Sequence, residues 1–307
     1  MDDRPRAAST LAPPATPQQP PPHVALIQMA TAAWVSRLVH AAARLSLADH
    51  LATGPRSAAE LAGPLGLHAL SLHRFMRCLA SLGLLAEQAG QRFALTALGE
   101  ALKAGAPGSA RATILTAGSP WFMGALDEIV YSLQTGRTAF ERMHGMPVFD
   151  YLGQHPEEAS LFSETMVGVH GQEPEAVAAA YDFSPFRSIV DVGGATGNLL
   201  AAILARHPEP RGVLFDRPYV VAEAPDLLEA RGVRERVTIE PGDFFQTVPA
   251  GGDAYVLSHV IHDWSEAQCL AILAHVRKAM QPDGRLLLVE MVLPAGDAPI
   301  PASCSTW

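Results

Sequence analysis

The chain has 307 residues, enough for one large or two ordinary domains, and 49% of them are hydrophobic, which supports sizeable cores. Its formal net charge of −9 argues against a surface for nucleic acid or for an anionic membrane. Cys78, Cys269 and Cys304 have no paired spacing, which fits a reducing cytoplasm and no metal site. Residues 1–22 lack the apolar segment of a signal peptide, and no run of 18 apolar residues predicts a membrane span.

Residues 1–22 read as a disordered tail, with Pro at 13, 14, 17, 20, 21 and 22. A helix begins near Val24 and runs past Trp34, Leu38 and Leu45. Ser57-Ala-Ala-Glu60 is a capping box that opens a short helix at Leu61, and Gly63-Pro64 stops it. Ser71 to Leu82 reads as a second helix with Leu72, Phe75, Met76 and Leu79 on one face. Gly83 to Leu95 then reads as a hairpin wing, so 23–103 is a winged helix. Winged helices often bind DNA. Here Arg74, Arg77, Arg92 and Lys103 are matched by Glu60, Glu87 and Glu100, with no basic stripe. Dimerisation is the better reading, because the first helix carries more apolar faces, at Trp34, Val35, Leu38, Val39, Leu45 and Leu47, than one small domain can bury.

Residues 104–180 read as a helical, aromatic-rich connector. Trp121, Phe162 and Met166 have the spacing of core residues as much as of a pocket wall. From 181 to 307 strands alternate with helices, the pattern of an α/β parallel sheet with right-handed crossovers. Apolar residues lead into Asp191, and Gly193, Gly194 and Gly197 follow before a helix at Asn198. Glycine lets backbone approach a ligand closely, and a helix start offers unpaired N–H groups. The dinucleotide pattern G-x-G-x-x-G fails here, because Ala195 and Asn198, or Thr196 and Leu199, stand where glycine is needed. The spacing that fits is D-x-G-x-x-x-G, as in S-adenosylmethionine sites. Asp216, at the end of the next strand, suits a ribose diol. Asp243 with Phe244, after a third strand, suits an adenine amine and its face. The fourth strand, Ala254 to Leu257, is followed by Ser258 and leads to His262-Asp-Trp264. Ser265 caps a helix over 266–280, apolar at Leu270, Leu273, Val276 and Met280. Arg285 to Leu293 reads as a fifth strand carrying Glu290. Ligands of such sheets sit at the strands' C-terminal ends, where these residues gather.

Val190-Asp-Val-Gly-Gly-Ala-Thr-Gly197, Gly242-Asp-Phe-Phe245, His262-Asp-Trp-Ser265 and Glu290 with Leu293-Pro294 resemble the plant-type and bacterial small-molecule O-methyltransferases, over about residues 24–294. The resemblance implies a Rossmann-like class I methyltransferase sheet behind a winged-helix dimerisation domain. It implies a homodimer, S-adenosylmethionine as cofactor and a small hydroxylated acceptor, aromatic or polyene. It also implies His262 as general base and Glu290 as the acid that orients it, Asp263 being weaker because adjacent side chains usually point apart. Asp191, Gly193, Gly197, Asp216, Asp243, Phe244 and Ser258 would form the cofactor shell. Trp121, Phe162, Met166 and His170 would line the acceptor pocket. Two departures stand out. Ala195 replaces the usual third glycine of the turn, which costs about 1 kcal/mol if that backbone needs positive φ. The family also continues with a helix and two strands carrying a second acid beside the base, whereas here the pattern ends soon after Pro294; the expectation is a shortened, impaired member. Two other readings are a cofactor-binding relative with different chemistry and a winged-helix regulator.

Overall fold

The computed structural model describes residues 20–296. Most of the proline-rich tail and Cys304 lie outside them. The first helix spans Pro22–Arg44 and ends one residue before Leu45, because Ser46 takes a left-handed backbone (φ 48°) and starts a separate turn at Leu47–Leu51. The capping box closes as expected: Glu60 accepts from the Ser57 amide at 2.6 Å, and Ser57 Oγ accepts from the Glu60 amide at 3.3 Å. The helix it opens is Ala58–Leu65, so Gly63-Pro64 does not stop it. Pro64 rides inside, and a left-handed Gly66 ends it.

The next helix, Ala69–Ser81, buries Leu72, Met76 and Leu79. The wing is a three-stranded antiparallel sheet of β1 (Arg56–Ser57), β2 (Leu85–Gln88) and β3 (Arg92–Leu95), ordered β1-β3-β2. Leu61, Met76, Leu79 and Phe93 close this domain's core. The first helix contributes little to it: Leu26, Ile27, Met29 and Trp34 are each more than half exposed. By length and composition Pro22–Arg44 is apolar enough to cross a membrane, although polar residues interrupt its apolar runs. Such a helix can equally be one face of a subunit interface.

Seven helices between Arg111 and Ala180 form the connector. The last of them, Glu173–Ala180, packs on helix Asn198–Arg206, and Ala178 lies in the core of the large sheet. That sheet is wholly parallel, with β4 (Ser188–Val192), β5 (Arg211–Asp216), β6 (Val237–Pro241), β7 (Ala254–Ser258) and β8 (Arg285–Val289) in the order β6-β5-β4-β7-β8. The expected fifth strand is thus shorter than its apolar run, because Glu290 turns away to the site. Leu286 and Leu288 on this edge strand are 37% and 51% exposed. Helix Glu266–Ala279 buries Ile272 and Val276, while Leu270, expected on its inner face, is 61% exposed.

Candidate active site

The order reverses at β4, whose neighbours are β5 and β7, and the glycine turn leaves β4 at this switch point. Gly193 has φ 72°, and a side chain there would meet Val260 at 2.8 Å. A Cβ on Gly194 would fall 2.5 Å from the Asp191 carboxyl carbon, so Gly194 is required by its neighbour rather than by its φ. Gly197, at φ 86°, caps helix Asn198–Arg206. Ala195 does take positive φ, 51°. Ala195→Gly is therefore expected to raise the unfolding free energy by about 0.5–1 kcal/mol, read from the denaturation midpoint.

Asp216 ties this turn to β5. Its Oδ2 accepts from the Ala195 amide at 2.8 Å and its Oδ1 from the Arg217 amide at 2.6 Å. Burial raises its pKa, and those two amides oppose the rise. Asp191 is 1% exposed, and its carboxyl has no hydrogen bond of good geometry; the Leu200 amide is near enough only to oppose in part the rise in its pKa. Burial, with the Asp216 charge added, pushes its pKa from 3.8 up to about 7. The folded state thus holds the proton more tightly than the unfolded one. Stability is full below pH 4 as far as this group is concerned and is lost as pH rises towards 7. Melting of the free protein should show that decline, and Asp191→Asn should flatten it.

A cleft of about 620 Å³ opens at the ends of β5 and β6, lined by Phe149, Asp150, Arg217, Asp243, Phe245 and Trp264 among others. Arg217 pairs with Asp150 at 2.6 Å, and Tyr219 donates to the Phe149 carbonyl at 2.9 Å, so the connector is tied to the sheet beside the cleft. Asp243 accepts from the Phe245 amide at 2.8 Å. Phe244 packs inward, edge-on to Trp264 and beside the Gly193 turn. Ser258 is half-buried at the end of β7.

Past β7 a 3-10 turn, Ile261–Asp263, presents His262. His262 Nδ1 and Glu290 Oε2 are 2.6 Å apart, and Glu290 Oε1 accepts from the Ile261 amide at 2.9 Å. A carboxylate accepts only, so Nδ1 carries the proton and Nε2 keeps its lone pair. Asp263 does not point away as neighbouring side chains usually do. The turn brings its Oδ1 to 3.5 Å from His262 Nε2. Of the expected pocket residues, His170 stacks on His259 at 4.3 Å, and His259 lies 5.7 Å from His262. Met166 is one helical turn before His170 on helix Pro156–His170. Trp121 is buried with Phe140 and Leu152, ringed by Phe122, Phe140 and Tyr151, and Phe162 packs against the same cluster. Phe162 meets Phe149, which meets Trp264. Trp121 thus stands a layer behind the cleft.

Sequence reasoning did not single out Asp150, Arg217 or the Glu173–His259 pair, whose atoms are 2.6 Å apart. These are partners 67 and 86 residues distant, for which no local pattern exists.

The O-methyltransferase domain model matches residues 125–303, and the O-methyltransferase dimerisation domain model matches residues 27–105. The chain belongs to the O-methyltransferase family. Phenazine O-methyltransferase PhzM of Lysobacter antibioticus is 42% identical over 274 residues, covering 89% of this methyltransferase and 80% of that protein. Phenazine-1-carboxylate N-methyltransferase of Pseudomonas aeruginosa is 36% identical over 278 residues, covering 91% and 82%. The crystal structure of the O-methyltransferase NcsB1 from neocarzinostatin biosynthesis, with S-adenosylmethionine and 2-hydroxy-5-methyl naphthoic acid, superposes with a TM-score of 0.74 at 32% identity, covering 83% and 79%. The cofactor of this methyltransferase is S-adenosylmethionine. Its site fits that ligand: bare backbone at the glycine turn, where a Cβ would collide, and a cleft with an acid, Asp243, and aromatics, Phe245 and Trp264, in its lining.

Proposed function

We propose that this methyltransferase transfers the methyl group to a hydroxyl of a small aromatic or polyene metabolite, with His262 as general base. The His262–Glu290 pair at 2.6 Å carries the reading. S-adenosylmethionine supplies an already activated sulfonium methyl, so the protein's part is to position an oxygen and take its proton. A phenol, with pKa near 10, is mostly neutral at pH 7. The free lone pair of His262 Nε2 receives its proton, and Glu290 holds the tautomer and stabilises the imidazolium. Asp191, Gly193, Gly197, Asp216, Asp243, Phe244 and Ser258 would hold the cofactor. Phe162, Met166 and His170 would border the acceptor, with Trp121 supporting them from behind.

The N-methylating relative favours a second reading, a nitrogen acceptor. A neutral amine already offers a lone pair and needs no base. Incubation with labelled cofactor and a panel of phenols and amines separates the two: label in phenols, lost on His262→Ala, supports the hydroxyl. Label in amines, untouched by that change, supports nitrogen.

We place the enzyme in the cytoplasm, where free thiols such as Cys78 and Cys269 stay reduced. We also read residues 24–100 as the seat of a homodimer. Leu26, Ile27, Met29 and Trp34 form an apolar patch of the kind that marks interfaces. Light scattering at micromolar concentration should give twice the chain mass, and Trp34→Glu should shift it towards the monomer.

A further inference from the structure

Two further histidines and three carboxylates meet beside the proposed base, more than proton removal needs. His259 and His262 sit one turn apart with ring centres 5.7 Å from each other. The donor atoms of His259, His262 and Glu290 all lie within 4.8 Å of one another. His259 Nε2 is 2.6 Å from Glu173 Oε1, so the carboxylate takes the Nε2 proton and leaves the Nδ1 lone pair free. A carboxylate that fixes the tautomer of a histidine from behind is the arrangement found around metal-bound imidazoles. The backbone of His259 is left-handed, φ 54°, an uncommon conformation for a non-glycine residue, and this together with Glu173 holds the ring.

We propose that His259, His262 and Glu290 form a binding site for a divalent late transition-metal cation of the zinc class. Two imidazoles and a carboxylate suit zinc, copper or nickel, whereas magnesium and calcium prefer all-oxygen sets. The charge balance favours a cation. Glu173 from helix Glu173–Ala180, Asp263 from the turn and Glu290 after β8 face the site. His170, stacked on His259, adds no carboxylate: burial and then the nearby histidines lower its pKa, with Glu173 opposing. Zinc–nitrogen bonds of about 2.0–2.1 Å set ligand atoms roughly 3.3–4.2 Å apart, so pairs as far as 4.8 Å apart draw in and the 2.6 Å pair of His262 Nδ1 and Glu290 Oε2 opens. Binding through His262 Nδ1 replaces its hydrogen bond to Glu290 and moves the imidazole proton to Nε2.

The cysteine count gave no reason to expect such a site; the histidines provide it. Binding does not depend on the role of His262. Inhibition of methyl transfer by the cation does, since it follows from loss of the Nε2 lone pair and so rests on the function proposed above.

The test is calorimetric titration of chelator-stripped full-length protein with zinc chloride at pH 7.5. One zinc per chain is expected. His259→Ala and Glu290→Gln should each lower affinity at least about tenfold, and Glu173→Gln about tenfold. His68→Ala, an exposed histidine of the winged domain, should change nothing. Retained S-adenosylhomocysteine binding shows that each variant is folded. Absence of saturable zinc binding, or equal affinity in wild type and His259→Ala, overturns the site. If zinc saturates the site and methyl transfer continues at full rate, the metal site stands and the assignment of His262 as base falls.

Discussion

His262→Ala is expected to lower the turnover number on a phenolic acceptor by about 10²–10⁴-fold while leaving cofactor affinity within a few-fold. The asymmetry follows from where the residue stands. His262 bonds to Glu290, which also accepts from the Ile261 amide, whereas the cleft is lined by Arg217, Asp243, Phe245 and Trp264. Removing the imidazole takes away the proton acceptor without touching that lining. Glu290→Gln should cost less than His262→Ala, since an amide still reaches Nδ1 but no longer stabilises the imidazolium. Its pH profile should shift where that of a merely structural variant would not. The measurement is single-turnover transfer of label, paired with calorimetry using S-adenosylhomocysteine. Wild-type turnover in His262→Ala at neutral pH would leave the residue a structural role only.

Asp216→Ala should weaken S-adenosylhomocysteine binding by roughly 1–3 kcal/mol, the scale of hydrogen bonds to a charged group. Two losses contribute. The carboxylate offered to a ribose goes, and so does the clamp that accepts from the Ala195 and Arg217 amides. Asp216→Asn keeps an acceptor for one amide and should fall between. The free protein should also melt lower in Asp216→Ala, because the Ala195 amide loses its partner while its backbone stays left-handed. NAD should bind neither form. Tight NAD binding by the wild type would overturn the reading of the turn.

The parts of this molecule legible in the sequence are those written by local chemistry. The capping box at Ser57 and Glu60, the wing, the glycine turn and four of the five parallel strands follow from residues a few positions apart. Errors fell where a helix end or distant packing overrides the simplest local preference. Pro64 stays helical because it lies in the last turn before a left-handed Gly66. Leu270 faces outwards although its spacing matched the buried face. β8 stops at Val289, so that Glu290 can reach back across 28 positions to His262. The pairs that tie the connector to the sheet, Asp150 with Arg217 and Glu173 with His259, join segments 67 and 86 positions apart. Charged residues of that kind are common on any surface, and only the fold pairs them.

The order of the large sheet bears on how the chain assembles during synthesis. Its central strand, β4, emerges first, and its two neighbours come later on opposite sides. β5 begins soon after the Asn198–Arg206 helix, so one flank closes quickly. β7 begins only at Ala254, which at about 5–20 residues per second leaves the other flank of β4 unpaired for several seconds. Val190 and Val192, fully covered in the finished protein, are bare for that interval. The winged domain, built from nearby helices and a hairpin, has by then had time to form, since local contacts close fastest. A nascent chain halted between β5 and β7 would therefore carry a finished first domain beside a sticky half-sheet, the species on which a ribosome-associated chaperone would act.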